Sequence, residues 1–363
     1  MKLLDRYLLR CYAGPLAACL AAFSMLYVVA DLFNNLSDFI EGQTSAWRVA
    51  MFYAALLPTG LVYIVPASLL LALLYCLGQL TKNNELTAMR ACGVSTPRLL
   101  LPFIAAGLVA TIAVGLINET VSPWAAWWTR RFVRAQRAED PASIYVETHL
   151  PYRNHTARRE WLIGRFDTRT GEMSDIKVEQ YHPTDYRILF SLKADSAHWM
   201  DGRWWFRNVV YQEYDEYNDL KGPPRFEAVR EMSDWDETPR LFLEEIRDRD
   251  FRSVAGLLRF LRNNRGISRA ETARTWVDIH HRISLPFTCL IVTMIGLPFG
   301  YQTGRRGAMR GTLLALGLFF SYYVLIHLGL WAGKNRWMDA WLAGWLPNIL
   351  FFGLSLRWIA RMR

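Results

Sequence analysis

The 363-residue chain has five cysteines, Cys11, Cys19, Cys76, Cys92 and Cys289, and none between the last two. That excludes a disulfide framework for the middle of the chain, and with no C-x-x-C pair a structural zinc site has no support. There is no G-x-x-x-x-G-K-[ST] loop either, since Gly333-Lys334 lacks the glycine five positions earlier, so ATP is not bound and hydrolysed by that route. A G-x-S-x-G elbow and an H-E-x-x-H helix are also missing. His149, His155, His182 and His198 stand near Asp185 and Asp195 but without ligand spacing, so neither a metal nor another cofactor is expected. His280 and His281 lie beside a membrane entry, where an interface position is preferred to catalysis.

Charge is scarce and unevenly placed. Only 21% of residues are charged against 52% hydrophobic, and the runs 12–33, 51–80, 99–117, 283–304, 311–333 and 340–356 contain a single formal charge, Asp31. About 20 apolar residues at a 1.5 Å rise cross the roughly 30 Å hydrocarbon layer. The expected fold is therefore a membrane α-helical protein with six transmembrane helices, which excludes a soluble enzyme for the whole chain. The first run exceeds the about 7–15 residues of a signal-peptide core and is expected to remain as a span.

The net charge of +9 supplies direction. Lys2, Arg6, Arg10, Lys82, Arg90, Arg98, Arg305, Arg306, Arg310, Arg357, Arg361 and Arg363 flank one side of the six runs, while the opposite short loops hold Arg48, Lys334 and Arg336. Cytoplasmic flanks keep the excess of Lys and Arg, so both termini are expected in the cytoplasm and the polar middle outside. Basic residues confined to membrane boundaries do not form a nucleic-acid footprint, and no nucleic-acid partner is expected. Trp124, Trp127, Trp128, Trp331, Trp337 and Trp341 fit an aromatic belt at the outer interface, though packing alone would also explain some of them.

Between 122 and 250, short segments rich in β-branched and aromatic residues (143–148, 160–166, 175–180, 188–194, 203–211 and 225–230) alternate with breakers such as Asp201-Gly202. They predict an all-β antiparallel sandwich or roll. From 251 to 282 the apolar spacing becomes helical, through Val254, Leu257, Leu258 and Leu261, a connector that either works as a lever or simply returns the chain to the membrane. Residues 1–121 then hold helices 1–3 and 283–363 hold helices 4–6.

A short cytoplasmic helix is expected at about 83–93. Asn83 or Asn84 can cap it, Glu85 suits its first turn, and Gly93 can end it in the left-handed conformation; Thr96 and Pro97 start the next span. Leu86 and Met89 share one face flanked by Glu85 and Arg90. That arrangement suits a helix docking in another protein's groove, although the pair could instead lie on the bilayer surface. Asp31 and Asn34 near the end of the first span, and Tyr323 and His327 in the fifth, are candidate cavity residues; intramembrane ionisable groups are functional candidates by default. For His327, on a face with Phe320, Val324 and Trp331, a hydrogen bond inside the bundle is preferred to lipid contact. Gly307-x-x-x-Gly311-x-x-x-Ala315 and Gly329-x-x-x-Gly333 permit close helix approach and suit a subunit interface.

Leu4-Asp5-Arg6-Tyr7, the stretch from Leu77 to Leu99 with its NELxAMRAxGxSxxRL pattern, and Asn118-Glu119-Thr120-Val121-Ser122-Pro123 resemble the LptF/LptG permeases over essentially the whole chain, leaning slightly toward LptG. The resemblance implies a permease subunit of an ABC transporter that extracts lipopolysaccharide from the inner membrane. It further implies a sibling LptF/LptG permease, an LptB-type cytoplasmic ATPase contacted by Glu85 on a coupling helix, and a periplasmic β-jellyroll passing lipid to LptC-type and LptA-type proteins. In the family the first and fifth helices line the cavity. LptG members carry basic residues at the outer end of the first helix, where this chain has Asp31, Asn34, Asn35 and Asp38. The competing readings are an ion-driven secondary transporter and a membrane receptor or adaptor with a sensing β domain.

Overall fold

The structure is a computed structural model describing residues 3–137, 145–154, 157–182, 185, 187–233, 235–246, 253–263, 269–301 and 305–362. The chain divides into two compact units, one of Met1–Thr129, Ser253–Leu257 and Arg269–Arg363, the other of Arg130–Arg252 and Leu258–Ser268.

The first unit is helical. Its elements are α1 (Leu3–Glu41), α2 (Ala46–Lys82), the short α3 (Glu85–Ala91), α4 (Thr96–Leu116), a π-helical turn at Ile117–Val121 and the start of α5 (Ser122–Arg137). The inserted unit also contains α6 (Pro239–Ile246) and the later part of α7 (Val254–Asn263); the first unit has the start of α7, then α8 (Arg269–Ser284), a 3₁₀ turn at Leu285–Phe287, α9 (Thr288–Gly300), α10 (Arg305–Lys334) and α11 (Ala340–Ala360). Among the described residues six helices are long and apolar enough to cross a membrane; five contain an apolar run whole and the fourth holds its run as far as Gly300. The third does not stop at 121. The π turn lets helical backbone run on to Arg137, so the first part of the expected β region is helix.

Helix α9 lies at the centre, with Val292 and Leu297 fully buried between α2, α4, α10 and α11. One chain of polar groups inside the bundle is paired. Tyr322 donates its hydroxyl to Asn348 Oδ1 at 2.5 Å, and Asn348 Nδ2 donates to the Ser284 carbonyl at 2.9 Å. Unpaired, each would cost far more in a low dielectric than the bond itself gains. Tyr7 bonds to Glu85, Arg90 lies over Tyr301 and Phe299 packs on Trp358, so the start of α1, α3 and the end of α11 sit at the same end of the bundle, as six crossings require.

The second unit is built on one antiparallel sheet: β1 (Val146–Asn154), β2 (Arg159–Asp167), β3 (Met173–Tyr181), β4 (Ile188–Met200), β5 (Arg203–Glu213) and β6 (Arg225–Met232). All six expected strand segments are present, the first only in part: 143 and 144 lie outside the described residues, and Tyr145 precedes the strand, which starts at Val146. The strand order is a plain β1-β2-β3-β4-β5-β6 meander. The expected sandwich or roll is thus a single sheet in which each strand pairs with its sequence neighbour, through short connections such as Asp201-Gly202.

Side chains alternate in and out, but the alternation slips by one residue at the same place on every central strand. Buried positions step 161, 163, 166 on β2; 173, 176, 178 on β3; 192, 194, 197 on β4; and 204, 206, 209 on β5. The slip follows a row across the sheet: His149, Gly164, Asp175, Asp195 and Asn208. His149, Asp175 and Asn208, on alternate strands, have φ of 55°, 53° and 52°, a conformation in which Asn, Asp and His are enriched. Between them Gly164 is needed, because a Cβ there would fall 2.8 Å from the Cβ of Asp175. The crease keeps both halves of each strand facing one core. Trp161, Trp204, Phe166 and Phe206 fill that core, closed by Trp235 and by Phe242 of α6, a helix the sequence reading did not anticipate. Glu237, wholly buried, accepts from Arg159 Nη1 at 2.6 Å and from Asn154 Nδ2 at 2.8 Å, and the Arg159 guanidinium also stacks 4.1 Å over Trp235. Burial pushes the Arg159 pKa down, against the pull of Glu237.

Candidate functional site

Helix α3 has seven residues and two different ends. Its N-cap is Asn84, in the left-handed conformation at φ 61° and without a side-chain capping bond. Its C-terminal end is the expected one: Gly93 takes φ 84°, the Gly93 amide donates to the Arg90 carbonyl at 2.8 Å, and the Val94 amide to the Met89 carbonyl at 3.2 Å. These two bonds, with Val94 and Met89 in one apolar cluster, are a Schellman stop. The next span begins one residue earlier than expected, with Ser95 rather than Thr96 at its cap.

Glu85 is held from two sides. The Tyr7 hydroxyl donates to its Oε2 at 2.5 Å and the Asn83 amide to its Oε1 at 3.1 Å. The Tyr7 bond first, and the Asn83 bond after it, keep the Glu85 carboxyl below its ordinary range. Arg90 lies 5.9 Å over the Tyr301 ring at the end of α9. Next to this, Arg98 at the start of α4 clamps both oxygens of Asp5, at 3.0 and 2.8 Å.

The apolar pair expected to dock in a partner's groove points the other way. Leu86 is only 5% exposed and sits in this chain's own core, with Met89 half-buried against it. The reason is that α3 lies at the end of a bundle with an uncovered apolar cluster, and its one apolar stripe closes it. The surface left open on α3 is Thr87, Ala88, Arg90 and Ala91, bounded by Gly93.

The expected cavity residues lie on two helices that share no extended packing. On α1, Asp31 accepts from Asn35 Nδ2 at 3.1 Å, and Asn34 is exposed. On α10, Tyr323 is half-buried against Phe319, while His327 is exposed on the outside of this chain's bundle, its Nδ1 2.8 Å from the Tyr323 carbonyl. The expectation that His327 bonds inside the bundle is therefore corrected: among the described residues its hydrogen bond is to its own helix. Beside it, Phe320, Val324 and Trp331 are exposed too, as are Met25, Leu26 and Phe33 on α1. The Gly329 and Gly333 pair is used internally rather than kept for a second subunit. A Cβ on Gly333 would lie 2.5 Å from the Ala343 Cβ, and one on Gly329 2.9 Å from the Ala343 carbonyl oxygen; Ala315 is fully buried in the core, and the Gly307 side lies outside what is described.

The π turn explains the Asn118–Pro123 motif. Asn118 Nδ2 donates to the Arg282 carbonyl at 3.4 Å, Ser122 Oγ to the Pro58 carbonyl at 3.4 Å, and Glu119 accepts from the Val254 and Ala255 amides at 3.0 and 3.2 Å. In the other unit His182 pairs with Asp185 and His198 faces Glu172, while His155 lies outside the described residues.

Six candidate spans among the described residues, with a β-sheet inserted in sequence between the third and the fourth, define a multi-pass membrane protein. The family model described as lipopolysaccharide export system permease LptF/LptG matches residues 6–361, and the chain belongs to that family. It is similar to the lipopolysaccharide export system permease protein LptF of Escherichia coli (strain K12), 22% identical over 97% of this chain and 93% of the relative. The LptF of Shigella flexneri matches with the same figures. These relatives carry the LptF name and give no support to the slight lean toward LptG. The chain is thus a lipopolysaccharide export permease and a multi-pass protein of the inner membrane.

Proposed function

We propose that the chain exports lipopolysaccharide as one of two membrane-spanning subunits of an ABC transporter, driven by a separate LptB-type cytoplasmic ATPase that seats on α3. The observation that carries this is α3 itself. It is rooted in the bundle by Leu86, offers Thr87, Ala88, Arg90 and Ala91 outward, and keeps an ionised carboxylate, Glu85, at the rim. The open apolar faces of α1 and α10 are the surfaces for a sibling LptF/LptG permease, with the lipid between them near Asp31, Asn34, Tyr323 and His327. The β domain lies in the periplasm and passes the lipid to LptC-type and LptA-type proteins. No substrate bond is broken; the work is mechanical.

The test is co-purification of a P-loop ATPase with the chain in detergent, followed by lipid export assayed with the Glu85→Arg variant. Retained insertion with export reduced at least about tenfold is expected, since a reversed charge opposite a cationic partner costs more than 1.4 kcal/mol. Full export and full ATPase association in Glu85→Arg would sink the proposal. Export following an ion gradient instead of ATP would favour the secondary transporter.

A further inference from the structure

The start of α1 sits in a notch between α3 and α4. At 3.6 residues per turn Leu4 and Leu8 form one stripe, with Asp5 on one side of it and Tyr7 on the other. The stripe enters the cluster of Leu86, Met89 and Leu99, where Leu8 is fully buried. Each flanking polar residue then bonds outward from the notch: Tyr7 to Glu85 on α3, Asp5 to Arg98 on α4. The Asp5 side chain is 14% exposed and that of Arg98 33%, so this bidentate pair is better shielded than an ordinary surface ion pair. Farther along, α1 packs on α2: Tyr12 donates to the Leu69 carbonyl at 3.1 Å and the buried Phe39 meets Phe52 and Tyr53 edge-on, while Met25, Leu26, Phe33 and Leu36 face outward. Separating α3 from α1 would expose Leu8 and Leu86 and break a short hydrogen bond, whereas moving the two together costs neither.

We propose that Asp5 and Tyr7 are positioning residues that fasten the first turns of α1 to α3 and to the start of α4, so that a displacement of α3 carries α1 with it. This rests on α3 being the element the ATPase drives. The helix is 39 residues long, about 58 Å at 1.5 Å per residue, so motion taken up at Tyr7 reaches the opposite end, where Asp31 and Asn34 stand. Glu85 has a second role here besides facing a partner: it is the handle by which α1 is held.

The experiment uses the assembled exporter in vesicles and reads lipopolysaccharide released per ATP hydrolysed. Asp5→Arg and Arg98→Asp each put like charges in contact and are expected to lower that ratio about tenfold, while the double exchange restores it to within about twofold. Tyr7→Phe keeps the ring and removes only the hydroxyl; it is expected to lower the ratio about threefold alone and to add nothing in a Glu85→Ala background, where the acceptor is gone. Wild-type yield in the single reversals, or a double exchange that assembles yet stays impaired, overturns the fastening. If the reversals fail to assemble, Tyr7→Phe decides, and wild-type yield in it overturns the proposal. A wild-type exporter that releases lipid without ATP would refute the ATPase-driven function, whereas ATP-dependent release indifferent to all these variants refutes the fastening alone.

Discussion

Glu119 and Val254 are 135 positions apart, and the carboxylate of the first accepts the amide hydrogen of the second at 3.0 Å. Val254 opens α7, whose first amides have no partner within the helix, and a carboxylate there satisfies the donors and complements the helix dipole. Ser253 contributes a second cap, its Oγ accepting from the Gly256 amide at 3.1 Å. Glu119→Ala should therefore loosen the start of α7 by about 0.5–2 kcal/mol. Hydrogen exchange at Val254 and Ala255 should quicken by roughly 2- to 30-fold. Glu119→Gln keeps an acceptor and should lose less. Unchanged exchange at both amides would mean that the cap does not hold the helix.

The packing of α10 on α11 can be tested through its glycines. A Cβ at Gly329 meets backbone oxygen, which cannot swing aside, so Gly329→Val should destabilise the single chain in detergent by about 1–3 kcal/mol. Gly317, with nothing within 4 Å of an added Cβ, is the control, and Gly317→Val should leave the thermal midpoint nearly unchanged. Equal midpoints for the two variants would return these glycines to a subunit interface.

In the β domain the Arg159 and Glu237 pair is sealed, with side-chain exposures of 10% and 0%. Removing Arg159 leaves the buried Glu237 without its countercharge, with the Asn154 amide still bonded to it, so Arg159→Met should cost about 3–5 kcal/mol. The joint change Arg159→Met with Glu237→Met should recover most of that. Susceptibility of the domain to protease in rising urea measures both. A single variant no more labile than the double one contradicts this account.

Local signals in the sequence were enough for the spans and for the stop of α3. Six charge-poor runs need no tertiary information to be recognised, and Gly93 is the one residue near that end free to take φ 84°. Relations across the chain were hidden. Nothing in Tyr7 or Asp5 names Glu85 or Arg98 as a partner, although the two motif fragments containing them are those that carried the family resemblance. Leu86 looked like a docking residue because an apolar stripe on a short helix reads the same whether it faces a partner or its own bundle. The crease was missed for a different reason. Period-two alternation within one strand says nothing of its neighbours, and a slip shared by four strands shows only once their register is known.

That crease limits how the domain can vary in length. One residue gained or lost within a strand would carry its turning point out of line with its neighbours' and send half of its side chains to the wrong face. Connections such as 214–224 carry no such constraint, so family members can be expected to differ in loop size while keeping the count of residues on either side of Gly164 and Asp175 unchanged.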